Sequence, residues 1–340
     1  MRIGVYLTNQ HTLDRDMVSA LDEQFAQVRL ARDHGWDSVF IGHHYLNEGN
    51  NQQLQAVPFL ARLAAEAGEM TLGLGIFLLP LHNPVYVAET MASLDVICRG
   101  NFVLGVGLGY REMEFDAFRV PKGQRLKRFE ECLMLMRRLW TEESVSYESE
   151  TCKLVNVRMN LRPIQKPHPP IWIAANGDAA IRRAARLGDA WFVNPQADTQ
   201  TLARQLALYR KELKRVGKPP AGGAAGELPC FREIFCAPTR AQALELGVPS
   251  LAAKYVSYAS WGVNQVQPKL DAKQAFSAMA KNRFILGSPE DCYRELEPYA
   301  KKHGVNHLIL RTQWTGLPLS SALLSMRMLS QEVLPALRRL

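Results

Sequence analysis

His43 and His44 follow the apolar run Ser38-Val39-Phe40-Ile41, and Tyr45 comes next. An imidazole exchanges protons near neutral pH, so one set at the mouth of a pocket can act as a general acid or base. Successive residues of a strand point to opposite faces, so only one of the two histidines should face such a mouth while the other packs outward. Further along, Gly105-Val106-Gly107-Leu108-Gly109 places three glycines at alternate positions after another apolar run. The spacing is neither the dinucleotide fingerprint nor a nucleotide-triphosphate loop. It reads either as a close approach of neighbouring backbones or as a flat surface for a planar ring. Asn176-Gly177-Asp178 opens the helical pattern Ala179–Leu187. Exposed N–H groups at a helix start can hold an anion, and the same residues also make an ordinary cap. The scattered histidines show no metal-binding spacing, and no Gly-x-Ser-x-Gly elbow is present. Chemistry supplied by an organic cofactor is what remains.

These residues must be positioned by a regular scaffold, and the chain signals one. Helical patterns end in glycine before short apolar runs at Gly35, Gly68, Gly100, Gly188 and Gly304. Glycine takes the left-handed conformation that ends a helix, and the chain then enters a sheet. The runs do not alternate with polar residues, as expected of strands covered on both faces. Eight are counted: Ile3–Leu7, Ser38–Ile41, Leu72–Leu79, Phe102–Val106, Ile171–Ala174, Ala190–Val193, a weaker Phe231–Cys236, and His307–Leu310. Between them lie amphipathic stripes such as Phe129, Leu133, Met136 and Trp140, and a cap-and-proline start at Asn83-Pro84. Eight strands alternating with helices predict a single α/β domain over residues 1–340, a (β/α)8 TIM barrel with insertions. A hairpin is expected within about 141–170, a flexible linker at Pro219–Gly226, and a weakly patterned lid segment at about 245–285.

In such a barrel the site lies beyond the C-terminal ends of the strands. That rule selects Thr8-Asn9, His43-His44-Tyr45, Phe77, Gly107-Leu108-Gly109-Tyr110, Asn176-Gly177-Asp178, Asn194 and Arg311-Thr312-Gln313-Trp314. Over 340 residues, 41 Lys and Arg face 33 Asp and Glu, for a net charge of +8, and 47% of residues are hydrophobic. That composition excludes a disordered chain, and six cysteines are too sparse for a disulfide scaffold. The cysteines read as buried thiols of a cytoplasmic protein. Arg182, Arg183 and Arg186 read as a solvated helix face rather than a nucleic-acid surface. No secretory leader or membrane-spanning run is expected.

The combination of Leu78-Leu79-Pro80-Leu81-His82-Asn83-Pro84, Leu94-Asp95, Gly100-Asn101-Phe102, Gly105 to Tyr110 and Glu114-Phe115 resembles the bacterial-luciferase-like family of flavin-dependent oxidoreductases. Arg162-Pro163, Pro169 to Ile173 and Arg183 to Trp191 extend the resemblance over nearly the whole chain. It implies His44 as the catalytic imidazole, with His43 standing where the family usually has an acid and Tyr45 where a second histidine is frequent. It implies a non-proline cis peptide at Gly75-Ile76 beneath the flavin. It places the flavin against Gly75, Ile76, Phe77, Gly107 and Tyr110, with its phosphate at Ala175, Asn176, Gly177 and Asp178. Luciferase itself carries an arginine at the position of Leu108, so that phosphate contact is absent here. Asn9, His43, Asn194 and Trp314 would face the substrate, with Gln313 as a hydrogen-bond donor.

Two chemistries follow from the resemblance. In one, reduced FMN reacts with O2 to give a C4a-hydroperoxide that oxygenates a small organic substrate, the reduced flavin coming from a separate reductase. In the other, a deazaflavin coenzyme exchanges hydride with an alcohol or an unsaturated substrate. The monooxygenase pattern is the nearer of the two. A flavin-binding barrel without catalysis is a third reading, against which His44 stands. Family relatives also imply a homodimer.

Overall fold

The computed structural model describes residues 1–260, 280 and 282–340, the side chains of 259 and 260 excepted. Eight parallel strands build the sheet: β1 (Arg2–Leu7), β2 (Ser38–Ile41), β3 (Thr71–Leu78), β4 (Phe102–Gly107), β5 (Ile171–Ala174), β6 (Ala190–Phe192), β7 (Pro229–Cys236) and β8 (His307–Arg311). Each boundary lies within two residues of its sequence expectation. Pairing runs in order from β1 to β6, and from β1 through β8 to β7. A bridge between Val193 and Cys230 joins the two free edges. There the Val193 N–H reaches Pro229 O at 3.1 Å and the Phe231 N–H reaches Val193 O at 2.8 Å, so the ring closes. A short strand that the pattern did not reveal, Ile285–Gly287, pairs with Ile234–Cys236 beyond the point where β8 leaves β7.

The helices of the described residues include α1 (Met17–Asp33), α2 (Ala56–Ala67), α3 (Pro84–Ile97), α4 (Arg125–Thr141), α5 (Asp178–Leu187), α6 (Thr199–Arg215), α7 (Arg240–Ser260) and α8 (Pro289–Lys301), and Leu319–Met328 follows β8. Asn83 caps α3 by accepting from the Val85 N–H at 2.9 Å, with Pro84 at the first helical position. Their apolar stripes meet the outer faces of the strands, so Val28 of α1, Met91 of α3, and Phe129 and Trp140 of α4 are buried in one continuous layer. A second layer fills the barrel. Tyr6, Phe40, Val103, Trp172, Phe192, Phe231 and Ile309 pack there, with the Phe40 and Trp172 rings stacked at 5.3 Å. Ile76 rests on this inner core at the C-terminal end and forms the floor of the mouth.

Four of the five junction glycines have the expected positive φ: Gly35, Gly68, Gly100 and Gly304. Gly188 does not; it is extended at φ −90°, and it is glycine because a Cβ would press on the carbonyls of Ala184 and Ala190 at 2.9 and 3.0 Å. The hairpin forms as expected from Val145–Glu148 and Lys153–Val157. The Pro219–Gly226 stretch is not a free linker. Its Gly222 N–H bonds Gly226 O at 2.9 Å, and the Asn306 side chain holds the carbonyls of Gly223 and Gly226. Arg182 and Arg186 are exposed, but Arg183 is buried. The expected lid begins differently too: residues 245–260 continue α7 as regular helix, and 261–279 with 281 lie outside the described residues. All six cysteines are buried. No helix among the described residues is long and apolar enough to cross a membrane.

Of the close-spaced glycines, Gly105 is fixed by backbone alone, because a Cβ there would overlap the Leu74 carbonyl oxygen. Gly105→Ala is expected to cost about 3 kcal/mol in urea unfolding, the scale of an overpacked core. Gly123→Ala, at an exposed glycine with open space around it, should stay within about 0.5 kcal/mol of wild type.

Candidate active site

A cavity of about 380 Å³ opens at the C-terminal end of the barrel. Its floor is made by an interruption in β3. Pairing with β4 is regular to Leu74 and resumes at Phe77, leaving Gly75 and Ile76 out of the ladder. The Gly75-Ile76 peptide is cis, as the resemblance implied. The Tyr6 hydroxyl donates to the Gly75 carbonyl, and Ile76 projects over the inner core. A Cβ on Gly107 would lie 2.6 Å from Ile76 Cδ1, and one on Gly75 would lie 2.9 Å from the rings of Tyr6 and Phe192. The glycines therefore keep a low bed, continued by Leu108, Ala174 and Ala175, on which a flat ring can lie.

At one end of the bed, α5 begins. Its first helical bond runs from the Ile181 N–H to Gly177 O at 2.9 Å, so the N–H groups of Asp178, Ala179 and Ala180 precede the ladder. A Cβ on Gly177 would meet nothing within 4 Å, which leaves room for an anion at this helix start. Asp178 turns away and pairs with Arg204 at 2.9 Å. The residues fit a flavin: a planar bed, then an opening for a phosphate.

Both histidines border the cavity, unlike the one-in, one-out arrangement that alternation predicts. His43 is buried, stacked on Phe77 at 4.8 Å, and its Nδ1 accepts the Leu78 N–H at 3.3 Å. Burial, with His82 and His44 adding to it, holds its pKa down at about 3. His44 faces the cavity with its Nδ1 3.1 Å from Glu114 Oε1. Glu114 is fully buried and also accepts from the Tyr45 N–H at 3.0 Å. Arg111, buried beside it, lies 3.5 Å from the same oxygen and donates to the carbonyls of Tyr45 and Leu46. The chain thus has His43 where a carboxylate was missing, and Glu114, from the short helix Glu112–Ala117, brings a carboxylate to His44 from another strand end. Only its place in the Glu114-Phe115 block marked it in sequence.

Asn9, Gly75, Ile76, Gly107, Tyr110, Ala175, Asn176, Gly177 and Asn194 line the cavity together with both histidines. Tyr110 stands edge-on to His44 at 5.9 Å. Three expected positions lie elsewhere. Phe77 is buried beneath His43, Asp178 is on the Arg204 pair, and Trp314 is buried with its indole N–H on Glu233 at 2.5 Å. Gln313 is occupied as well: its Oε1 accepts from Gln27 at 2.8 Å and its Nε2 donates to Leu317 O at 3.2 Å. Lys254, Tyr258 and Tyr6, not singled out as site residues, complete the far wall with Arg311, which the strand-end rule selected.

The family model for luciferase-like monooxygenases matches residues 1–307, and the chain belongs to that family. A phthiodiolone/phenolphthiodiolone dimycocerosates ketoreductase of Mycobacterium tuberculosis is 27% identical over 255 residues, 67% of this chain and 66% of the relative. An F420-dependent glucose-6-phosphate dehydrogenase of Microbacterium testaceum is 30% identical over 184 residues, 52% of this chain and 54% of the relative. The chain thus spans between about half and two thirds of the curated relatives it matches. The crystal structure of monooxygenase RslO1 from Streptomyces bottropensis superposes with a TM-score of 0.87 at 23% identity, covering 99% of this chain and 100% of that one, a likeness of fold. The family is one of oxidoreductases, and the curated relative from Microbacterium testaceum is F420-dependent.

A histidine whose folded pKa lies below its unfolded value near 6.5 adds stability that is present above that pH and lost as pH falls, because the unfolded chain takes the proton first. For His43 the loss should run from about pH 6.5 toward 3, with a slope of up to about 1.4 kcal/mol per pH unit. In urea unfolding across that range, His43→Leu should be less stable than wild type at neutral pH yet show a shallower acid slope. An unchanged slope would show that His43 is not held neutral.

Proposed function

We propose that this protein is a flavin-dependent monooxygenase that takes reduced FMN from a separate reductase and uses O2 to oxygenate a small organic substrate. The observation that carries the reading is the cavity's geometry: a low apolar bed along β3, β4 and β5 that ends at a single anion site, the N-terminus of α5. Among the described residues lining that end there is no Lys or Arg, which suits one phosphate held by backbone N–H groups. Bound there, the reduced flavin supplies the electrons that activate oxygen. The chain's own residues do the rest. Ile76 and Gly107 support the ring, the apolar floor keeps water from its face, and Asn176 and Gly177 flank the phosphate. His44, oriented by Glu114, holds or moves a proton beside the reacting centre. Glu114 acts through His44 and is a positioning residue.

One observation favours a deazaflavin instead. In a small adjoining cavity of about 90 Å³, Arg283 lies with Asn176, Thr201 and Gln205, and its Nη1 is buried with no hydrogen-bond partner among the described residues. A coenzyme with a longer anionic tail beyond its phosphate could reach that guanidinium. Anaerobic titration with reduced FMN and, separately, with the reduced deazaflavin separates the two, followed by rapid mixing with oxygenated buffer. Tight binding of reduced FMN with an oxygen-dependent absorbance transient is the expected result. Preference for the deazaflavin with no oxygen-dependent transient would replace this reading by hydride transfer.

His44→Ala should lower turnover by about 10²-fold or more with flavin affinity retained, the scale of a lost acid–base group. Glu114→Gln should lower it less and shift the pH profile, since the imidazole stays in place but loses its charged partner. Unchanged rates in His44→Ala with flavin bound would remove His44 from the chemistry.

A further inference from the structure

Across the mouth from the α5 terminus, the wall formed by β7, β8 and α7 is charged. Lys254 of α7 and Arg311 at the end of β8 both line the cavity, with side chains 6% and 9% exposed. One carboxylate serves them both. Glu233 of β7, fully buried behind the wall, accepts from Lys254 Nζ and lies 3.6 Å from Arg311 Nη1. Its other oxygen takes the Trp314 indole N–H. With Lys254 protonated, the cluster carries two positive charges against one negative. Among the described residues lining the cavity there is no Asp or Glu to balance it. Arg311 is stacked over Tyr6 at 4.2 Å and Phe231 at 5.0 Å, which fixes its plane, and its Nε is buried with no hydrogen-bond partner among the described residues.

A buried charge without a counter-charge is costly, and this cluster keeps one facing a cavity. Burial, and then repulsion from Arg311, pull the Lys254 ammonium down to about 7 against the attraction of Glu233. Burial opposes ionisation of Glu233 too, but Lys254 and Arg311 outweigh it and hold the carboxyl below its usual range. Nothing in the proton chemistry of His44 requires this arrangement on the opposite wall.

We propose that Lys254 and Arg311 form an anion-recognition site for the substrate, so that the molecule transformed here presents one ionised oxygen group, carboxylate or phenolate, on an apolar body. The assignment rests on the flavin lying on the β3 to β5 bed, which leaves the β7 and β8 wall to the substrate. The mouth then holds two anion subsites: backbone N–H groups at α5 for the cofactor, and side-chain cations with a fixed plane for the substrate. Tyr6 and Phe231, beneath Arg311, give the apolar body a surface beside the charge.

The test is calorimetric titration of the protein, with and without bound FMN, just below neutral pH. Benzoate is compared with benzamide, and 2,4-dinitrophenolate with 2,4-dinitroanisole, so that the two anion types are read separately. At least one anion should bind about tenfold or more tighter than its neutral partner. Lys254→Met should erase that preference while reduced-FMN affinity stays within about twofold, and Arg311→Gln, the second variant should the first not fold, should do the same. Equal binding of anion and neutral partner in both pairs overturns the proposal, as does a preference that survives both variants. Loss of FMN affinity in the variants, with the anion preference unaffected, would assign the cations to the cofactor and also overturn it. Wild-type protein that binds neither reduced FMN nor the deazaflavin would instead overturn the flavin reading, whatever the anions do.

Discussion

Glu114 is a buried carboxylate that three groups from two loops converge on: the His44 imidazole, the Tyr45 N–H and the Arg111 guanidinium. Burying a carboxylate is costly unless such partners meet it, and all three meet the one oxygen, Oε1. Once it is met, the loop after β2 is fixed to the loop after β4. Arg111 extends the tie through the carbonyls of Tyr45 and Leu46 and through Glu48 at 3.2 Å. The placing of His44 over the bed, the edge of Tyr110 beside it and the shape of the mouth on that side all descend from this one interaction.

The same construction occurs on the far wall, where Glu233 stands behind Lys254 and Arg311. In both places the acid is hidden and the base or cation faces the cavity. The other ionisable groups nearby are kept neutral by burial: His43 is held low, and the Tyr6 and Tyr110 hydroxyls are pushed well above their ordinary range. The mouth thus offers a proton group on one side and positive charge on the other, over an apolar floor.

Much of this was legible in the chain. Apolar runs without alternation marked the eight strands, and the rule that sites form at strand ends brought out His44, Gly107, Tyr110, Gly177 and Asn194. The failures have local causes. Phe77 was placed in the mouth because it stands at the end of β3. Two residues leave the ladder just before it, at Gly75 and Ile76, and Phe77 lies under His43. Trp314 follows β8 as a strand-end residue should, but its N–H found a buried carboxylate. Glu114 and Glu233 were invisible as partners because each meets its cation or imidazole across more than twenty residues of chain, and spacing carries no information about that. Gly188 shows the reverse case, in which the right residue was expected for the wrong reason: proximity to two carbonyls, not handedness.

Trp314 has one more consequence. Its indole donates to the carboxylate that balances Lys254 and Arg311, so the ring sits in the field of the charges lining the cavity. In a low-dielectric interior that field is weakly screened, and an indole's emission colour follows the field across its ring. Any ligand that alters the charge at this wall is therefore written into the light one tryptophan gives off. The protein carries its own optical gauge of what lies in its mouth, built from a side chain that never touches it.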